Sequence, residues 1–181
     1  MNKRHLLIFT LVSITIISCS NRSNQDQKNP EVETVTQESD SLILDYTFGM
    51  TRDEFFDLSW EYNANGILIN GSGAEIVEEV DWLISPAKRV FYPNFENEKI
   101  VQLPVTYSYK GWAPWNTHLS SDSLMQHLIP IISEEYDVKL EALSESTEKL
   151  IYVGRTNNTE IEISTKSNFE VNVTFTDLSN N

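Results

Sequence analysis

The sequence predicts an α+β fold, two helices packed on one face of an antiparallel β-sheet, and three observations carry that expectation. Residues 169–177 set Phe169, Val171, Val173 and Phe175 against Glu170, Asn172 and Thr174, the period-2 pattern of a strand with one dry and one wet face. Residues 101–109 repeat it through Val101, Leu103, Val105, Tyr107 and Tyr109. Two other stretches pair helix-start chemistry with apolar residues at helical spacing, and each is followed by several strands.

In chain order, Leu42–Phe48 reads as a strand with Leu42, Leu44, Tyr46 and Phe48 on one side. Gly49-Met50-Thr51 turns the chain, and Thr51 with Glu54 forms a capping box for a helix over 52–63. Phe55, Phe56, Trp60 and Tyr62 supply its apolar side, and Asn65-Gly66 its stop. Ile67-Leu68-Ile69 leads into the turn Asn70-Gly71-Ser72-Gly73, and 75–84 fits a helix and a strand edge equally. Arg89–Phe95 and Lys99–Tyr109 flank Glu96-Asn97-Glu98 as a hairpin, with Pro93 and Pro104 expected at edges or bulges because each lacks a donor. After a Trp- and Pro-rich loop, Ser120 or Ser121 caps a second helix striped by Leu124, Leu128, Ile131 and Ile132 and closed by Tyr136. Pro130 predicts a kink or split at Ile129. Val138–Leu143, Lys149–Arg155, Thr159–Thr165 and Phe169–Asp177 then read as a meander. Residues 42–109 and 120–177 thus share one order and admit two diverged copies, although no residue-level repeat joins them.

Ahead of this single domain, 41–178, residues 20–40 are polar and aperiodic, with too little apolar surface to offset the entropy of ordering. They read as a tether of about 25 Å reach. Residues 1–18 start with Lys3, Arg4 and His5, continue as an apolar run from Leu6 to Ile17, and end in Ser18 before Cys19, the sole cysteine. The run holds about a dozen residues, whereas crossing a membrane takes ~20. Ile16-Ile17-Ser18-Cys19 resembles the lipobox of bacterial lipoprotein signal peptides. The resemblance implies cleavage between Ser18 and Cys19, lipidation of Cys19 and attachment to a membrane through its acyl chains. Ser20 and Asn21 do not resemble the aspartate signal for inner-membrane retention, so outer membrane is expected, with either face open.

The 181 residues carry 13 Lys and Arg against 27 Asp and Glu, a net charge of −14. Loss of 1–18 takes Lys3 and Arg4 and deepens this to −16. Such acidity repels phosphates and argues against nucleic acid and against electrostatic adhesion to anionic lipid. An acylated Cys19 leaves no thiol for a disulfide, a metal or a nucleophile.

Gly49-Met50-Thr51-Arg52-Asp53-Glu54-Phe55 resembles the first-helix start of SmpA/OmlA-like lipoproteins, and the repeated helix-then-strands layout resembles the β-lactamase inhibitor protein architecture. These resemblances imply an assembly accessory or an inhibitor-like module. The G-x-P that follows the SmpA/OmlA helix is missing here, and no functional residue carries over.

Tyr109, Trp112, Trp115 and His118, with Tyr107, are the candidate contacts, because flat rings on a loop stack on sugars or anchor protein partners. The alternative is that the tyrosines turn into the core and the tryptophans cover the sheet end. His118 and His127 lie nine residues apart, a spacing that predicts no metal site. The acids at Glu78, Glu79 and Asp81, and at Glu134, Glu135 and Asp137, read as solvated charge. No serine sits in a nucleophile elbow, and no catalytic residue or cofactor is expected. The sequence therefore predicts a non-catalytic, lipid-anchored envelope domain that binds a protein. The alternatives are a surface glycan binder using Trp112 and Trp115, and a hydrolase whose residues meet only in the fold.

Overall fold

The computed structural model describes residues 41–143 and 150–179. The signal segment, Cys19 and the tether lie outside the described residues. Two strands, β1 (Ser41–Ile43) and β2 (Tyr46–Thr47), form a small antiparallel pair where one continuous strand is expected from the sequence. The break falls at Leu44, whose φ of 49° lies in the left-handed region, so Leu42, Ile43 and Tyr46 enter the core together.

Thr51 then caps α1 (Arg52–Ala64): its side chain accepts from the Glu54 amide, and the Glu54 carboxylate accepts from the Thr51 N–H at 2.8 Å. At the far end the Gly66 and Ile67 amides bond back to the Asn63 and Tyr62 carbonyls, with Gly66 at φ 73°. That closure requires a left-handed residue, which glycine supplies without strain. The buried side of α1 is Phe55 and Ser59, with Leu58 and Tyr62 packed beside them. Phe56 and Trp60, grouped with these in the sequence reading, instead face outward. One residue corresponds to about 100° of helix rotation, so Phe55 and Phe56 cannot share a face.

Strands β3 (Leu68–Asn70), β4 (Ile76–Val80), β5 (Ala87–Phe91), β6 (Asn94–Glu96) and β7 (Lys99–Tyr109) follow. The ambiguous segment 75–84 thus resolves as a strand. Asn97 and Glu98, at φ 49° and 62°, make the tight turn between β6 and β7. Pro104, expected at an edge or a bulge, lies in the long central strand β7 opposite Thr174. The neighbouring ladder is interrupted there, between Phe91↔Val105 and Asn94↔Gln102.

A 3-10 turn (Thr117–Leu119) leads to α2 (Ser121–Glu135), capped by Ser120. The helix runs unbroken through Pro130, contrary to a split at Ile129, while Leu124, Met125, Leu128 and Ile132 are buried across β7 and the last two strands of the chain. Each such side chain contributes roughly 1.5–3 kcal/mol by leaving water, enough to outweigh one lost helix bond. The chain ends in β8 (Glu141–Leu143), β9 (Ile151–Arg155), β10 (Thr159–Thr165) and β11 (Glu170–Asp177).

The main sheet is antiparallel throughout, in the order β3-β4-β5-β7-β11-β10-β9-β8, with β6 beside β7. Each half is a helix followed by a meander, and the last strands of the halves pair at the centre through Val105↔Val173. This is the predicted α+β architecture, with the helices on the face that carries Phe91, Val105, Val173 and Ile163. The opposite face is polar: Thr106 donates to Asn172 at 2.8 Å, and Gln102 donates to Thr176 at 3.1 Å.

Candidate functional site

The loop singled out by its aromatic residues does not converge. Tyr109 is buried, and its hydroxyl lies 3.2 Å from Nδ1 of His127. Trp112 is half-buried and stacks on Phe169, ring centres 4.7 Å apart. Only Trp115, 81% exposed, and His118 project outward.

A larger exposed apolar surface lies between α1 and the β3–β4 hairpin. Phe56 and Trp60 from α1 meet Leu68 and Ile69 of β3 and Ile76 of β4 around a groove of about 430 Å³. Trp60 is 77% exposed, and Phe56, Ile67 and Ile69 each keep more than two-fifths of their surface in water. Clusters of large apolar side chains left in water mark interaction surfaces. Asn63 pins the inner end of the groove by donating to the Leu68 carbonyl at 3.0 Å. Gly71 shapes the outer end, since a Cβ there would meet the Glu75 carbonyl oxygen at 2.8 Å. Asp57 and Glu75 line the groove, whereas no Lys or Arg does. The floor is rigid: Phe55 packs on Tyr46 at 5.0 Å, and the Tyr46 hydroxyl pairs with Ser59 at 2.8 Å. Burial pushes the Tyr46 pKa up to about 12.

A second cleft, about 360 Å³, is lined by Trp82, Arg89, Ile131 and Glu135. Glu78, read from the sequence as solvated charge, instead accepts from Arg89 Nε at 2.6 Å with both side chains nearly buried. Alternation on β4 explains the correction: Glu78 turns to the helix-covered side and Glu79 to the other. Burial opposes the Arg89 charge, but Tyr107 and Glu78 outweigh it and hold the guanidinium protonated. Partial desolvation raises the Glu135 pKa although the residue stays exposed, and Arg89 partly offsets the rise.

Neither cleft is lined by a histidine, and among the described residues no three His, Asp or Glu side chains are grouped to hold a metal ion. No described helix is long and apolar enough to cross a membrane. Helical spacing alone places Phe56 and Trp60 with Phe55 and Tyr62 on one apolar side, so the groove is not visible from spacing. The signal was Phe55-Phe56, two adjacent rings of which a helix can bury only one. Comparison with protein-family models, with characterised proteins and with solved structures finds no match.

Proposed function

We propose that this chain is a non-catalytic, lipid-anchored cell-envelope protein whose domain binds another protein through the Trp60 groove, as an assembly accessory or an inhibitor-like module. One observation carries the binding site: Phe56 and Trp60 stand exposed together beside an open cleft on a rigid floor. The anchor reading rests on Ile16-Ile17-Ser18-Cys19 and the charged start before it. Residues 1–18 are removed, Cys19 carries the acyl chains, 19–40 serve as tether, and the outer membrane is the expected address.

Crosslinking in intact cells tests the groove. The wild-type chain captures a defined envelope protein, and Trp60→Ala reduces that capture at least about tenfold, as loss of an aromatic anchor does. Equal capture by Trp60→Ala overturns the groove as the contact. Cys19→Ala releases the chain from membranes and removes acyl labelling, and continued pelleting with membranes rejects the anchor.

A second reading has its own observation, the exposed Trp115 ring three residues before the exposed His118. There the domain binds a glycan by stacking. A tryptophan fluorescence titration with envelope polysaccharide that leaves the wild-type signal unchanged rejects it.

A further inference from the structure

We propose that the free edge of β3 accepts an extended, basic segment of a partner polypeptide as an added strand, its apolar side chains inserted into the groove beside Trp60. The proposal deepens the protein-binding reading and rests on it. Among the described residues β3 is the outermost strand of the sheet and pairs with β4 alone. The Gly71 N–H donates to the Glu75 carbonyl at 2.9 Å, which points Gly71 inward toward β4. Along an antiparallel strand the N–H and C=O of one residue point the same way, and successive residues alternate. Ile69 therefore faces β4, while Leu68 and Asn70 face away from the sheet. The Leu68 carbonyl fits this assignment, since its bond comes from Asn63 on α1 rather than from β4. The Leu68 N–H and both peptide groups of Asn70 are left pointing outward.

β3 is short, at three residues, which itself limits pairing, and edge strands are otherwise blunted by proline, lysine, a bulge or an inward charge. Leu68-Ile69-Asn70 has none of these: its register with Glu78, Val77 and Ile76 is regular and its residues are neutral. A strand laid along this edge sits ~4.8 Å from β3 and presents every second side chain to one face. On the helix-covered face those side chains meet the groove floored by Leu68 and Ile76 and walled by Phe56 and Trp60. Main-chain bonds supply affinity without reading sequence, and the groove selects a bulky apolar residue. Charge specifies the rest: Asp57 and Glu75 line the groove, no cation does, and the chain as a whole carries −14. The matching occupant alternates apolar residues with Lys or Arg.

The test uses the full lipidated chain in detergent and a fluorescein-labelled octapeptide alternating lysine with valine and phenylalanine, read by anisotropy. Saturable binding is expected. Methylating the amides that face β3, or replacing the lysines by glutamate, weakens it at least about tenfold, since each removes main-chain bonds or charge complementarity worth over 1.4 kcal/mol. Trp60→Ala weakens it as much while leaving the circular dichroism spectrum unchanged. Amide exchange slows at Leu68 and Asn70 on binding and stays the same at Ile69. Absence of binding, equal binding of the methylated peptide, or unchanged exchange at Leu68 and Asn70 overturns strand addition. If any of these occurs while Trp60→Ala still abolishes crosslinking in cells, the protein-binding reading survives and only the added strand falls.

Discussion

Helix α2 buries Leu124, Met125, Leu128 and Ile132, whereas α1 buries Phe55 and Ser59 and leaves Phe56 and Trp60 in water. Both helices share an N-cap hydroxyl and the same C-terminal closure, and each precedes a meander. Their places differ. α2 lies over β7, β11 and β10, where the halves join, while α1 lies against β3 at the edge. A helix at the centre of a sheet has apolar neighbours on several strands, and one at the rim has a wet flank. The difference assigns stability to the second helix and recognition to the first.

Paired truncations break or support that assignment most directly. Leu128, fully buried, loses its transfer energy and opens a cavity when cut to alanine, so Leu128→Ala destabilises by about 2–5 kcal/mol in urea denaturation. Trp60→Ala removes a larger side chain yet changes stability by less than about 0.5 kcal/mol, because that ring is already in water. Similar costs for the two substitutions would erase the division of labour.

The second half is tightly closed at another point. Gly154 of β9 runs under the chain that leaves α2: a Cβ added there would lie 2.7 Å from Val138 Cγ2 and 2.9 Å from the Lys139 carbonyl oxygen. The backbone contact cannot rotate away. Gly154→Ala is expected to cost about 1–3 kcal/mol, the range for overpacking, and an unchanged denaturation midpoint would show that the 138–140 segment yields.

Elements written in local chemistry were legible from the sequence. Thr51 with Glu54 and Asn65 with Gly66 marked the ends of α1, and strict alternation marked β7 and β11. What depended on the opposing surface was not. Glu78 reads as one of several acids until Arg89 stands beside it in the neighbouring strand, and the Leu44 break follows from tertiary packing of Leu42 and Tyr46. Phe56 and Trp60 illustrate the same limit at the candidate site. Helical spacing shows that residues share a flank, whereas exposure depends on whether another element reaches that flank. The aromatic loop failed as a constellation for the converse reason: Tyr109, Trp112 and Trp115 are near in sequence but point to the core, to Phe169 and to solvent.

Glu135 adds a pH test of how closely α2 is sealed to the sheet. Its pKa is raised by partial desolvation at the end of α2, although the residue as a whole stays exposed, and the helix dipole there also disfavours an anion. A carboxyl whose pKa is higher folded than unfolded contributes stability below the unfolded pKa and loses it as pH rises through the folded value. Glu135→Gln keeps the neutral form at every pH. It should therefore raise the melting temperature at pH 7 and leave it near wild type at about pH 3.5, where both side chains are uncharged. A lowered melting temperature at pH 7 would mean that attraction to Arg89 outweighs desolvation.

The smallest expected effect concerns the one place where the helix endings diverge. Past α1 the left-handed position is Gly66, at φ 73°; past α2 it is Asp137, at φ 46°. The bonds are the same in kind: Ile67 N–H to the Tyr62 carbonyl at 2.9 Å in the first, and Val138 N–H to the Ser133 carbonyl at 3.0 Å in the second. A Cβ at positive φ crowds its own backbone, a strain glycine avoids. Asp137 also places a negative charge at a helix C-terminus, next to Glu134 and Glu135. Asp137→Gly removes both penalties and loosens the unfolded chain, which offsets part of the gain. A net stabilisation of about 0.5 kcal/mol is expected, with Gly66→Asp destabilising by a similar amount. If Asp137→Gly instead destabilises, the aspartate side chain holds the turn between α2 and β8, and the two endings are alike in backbone only.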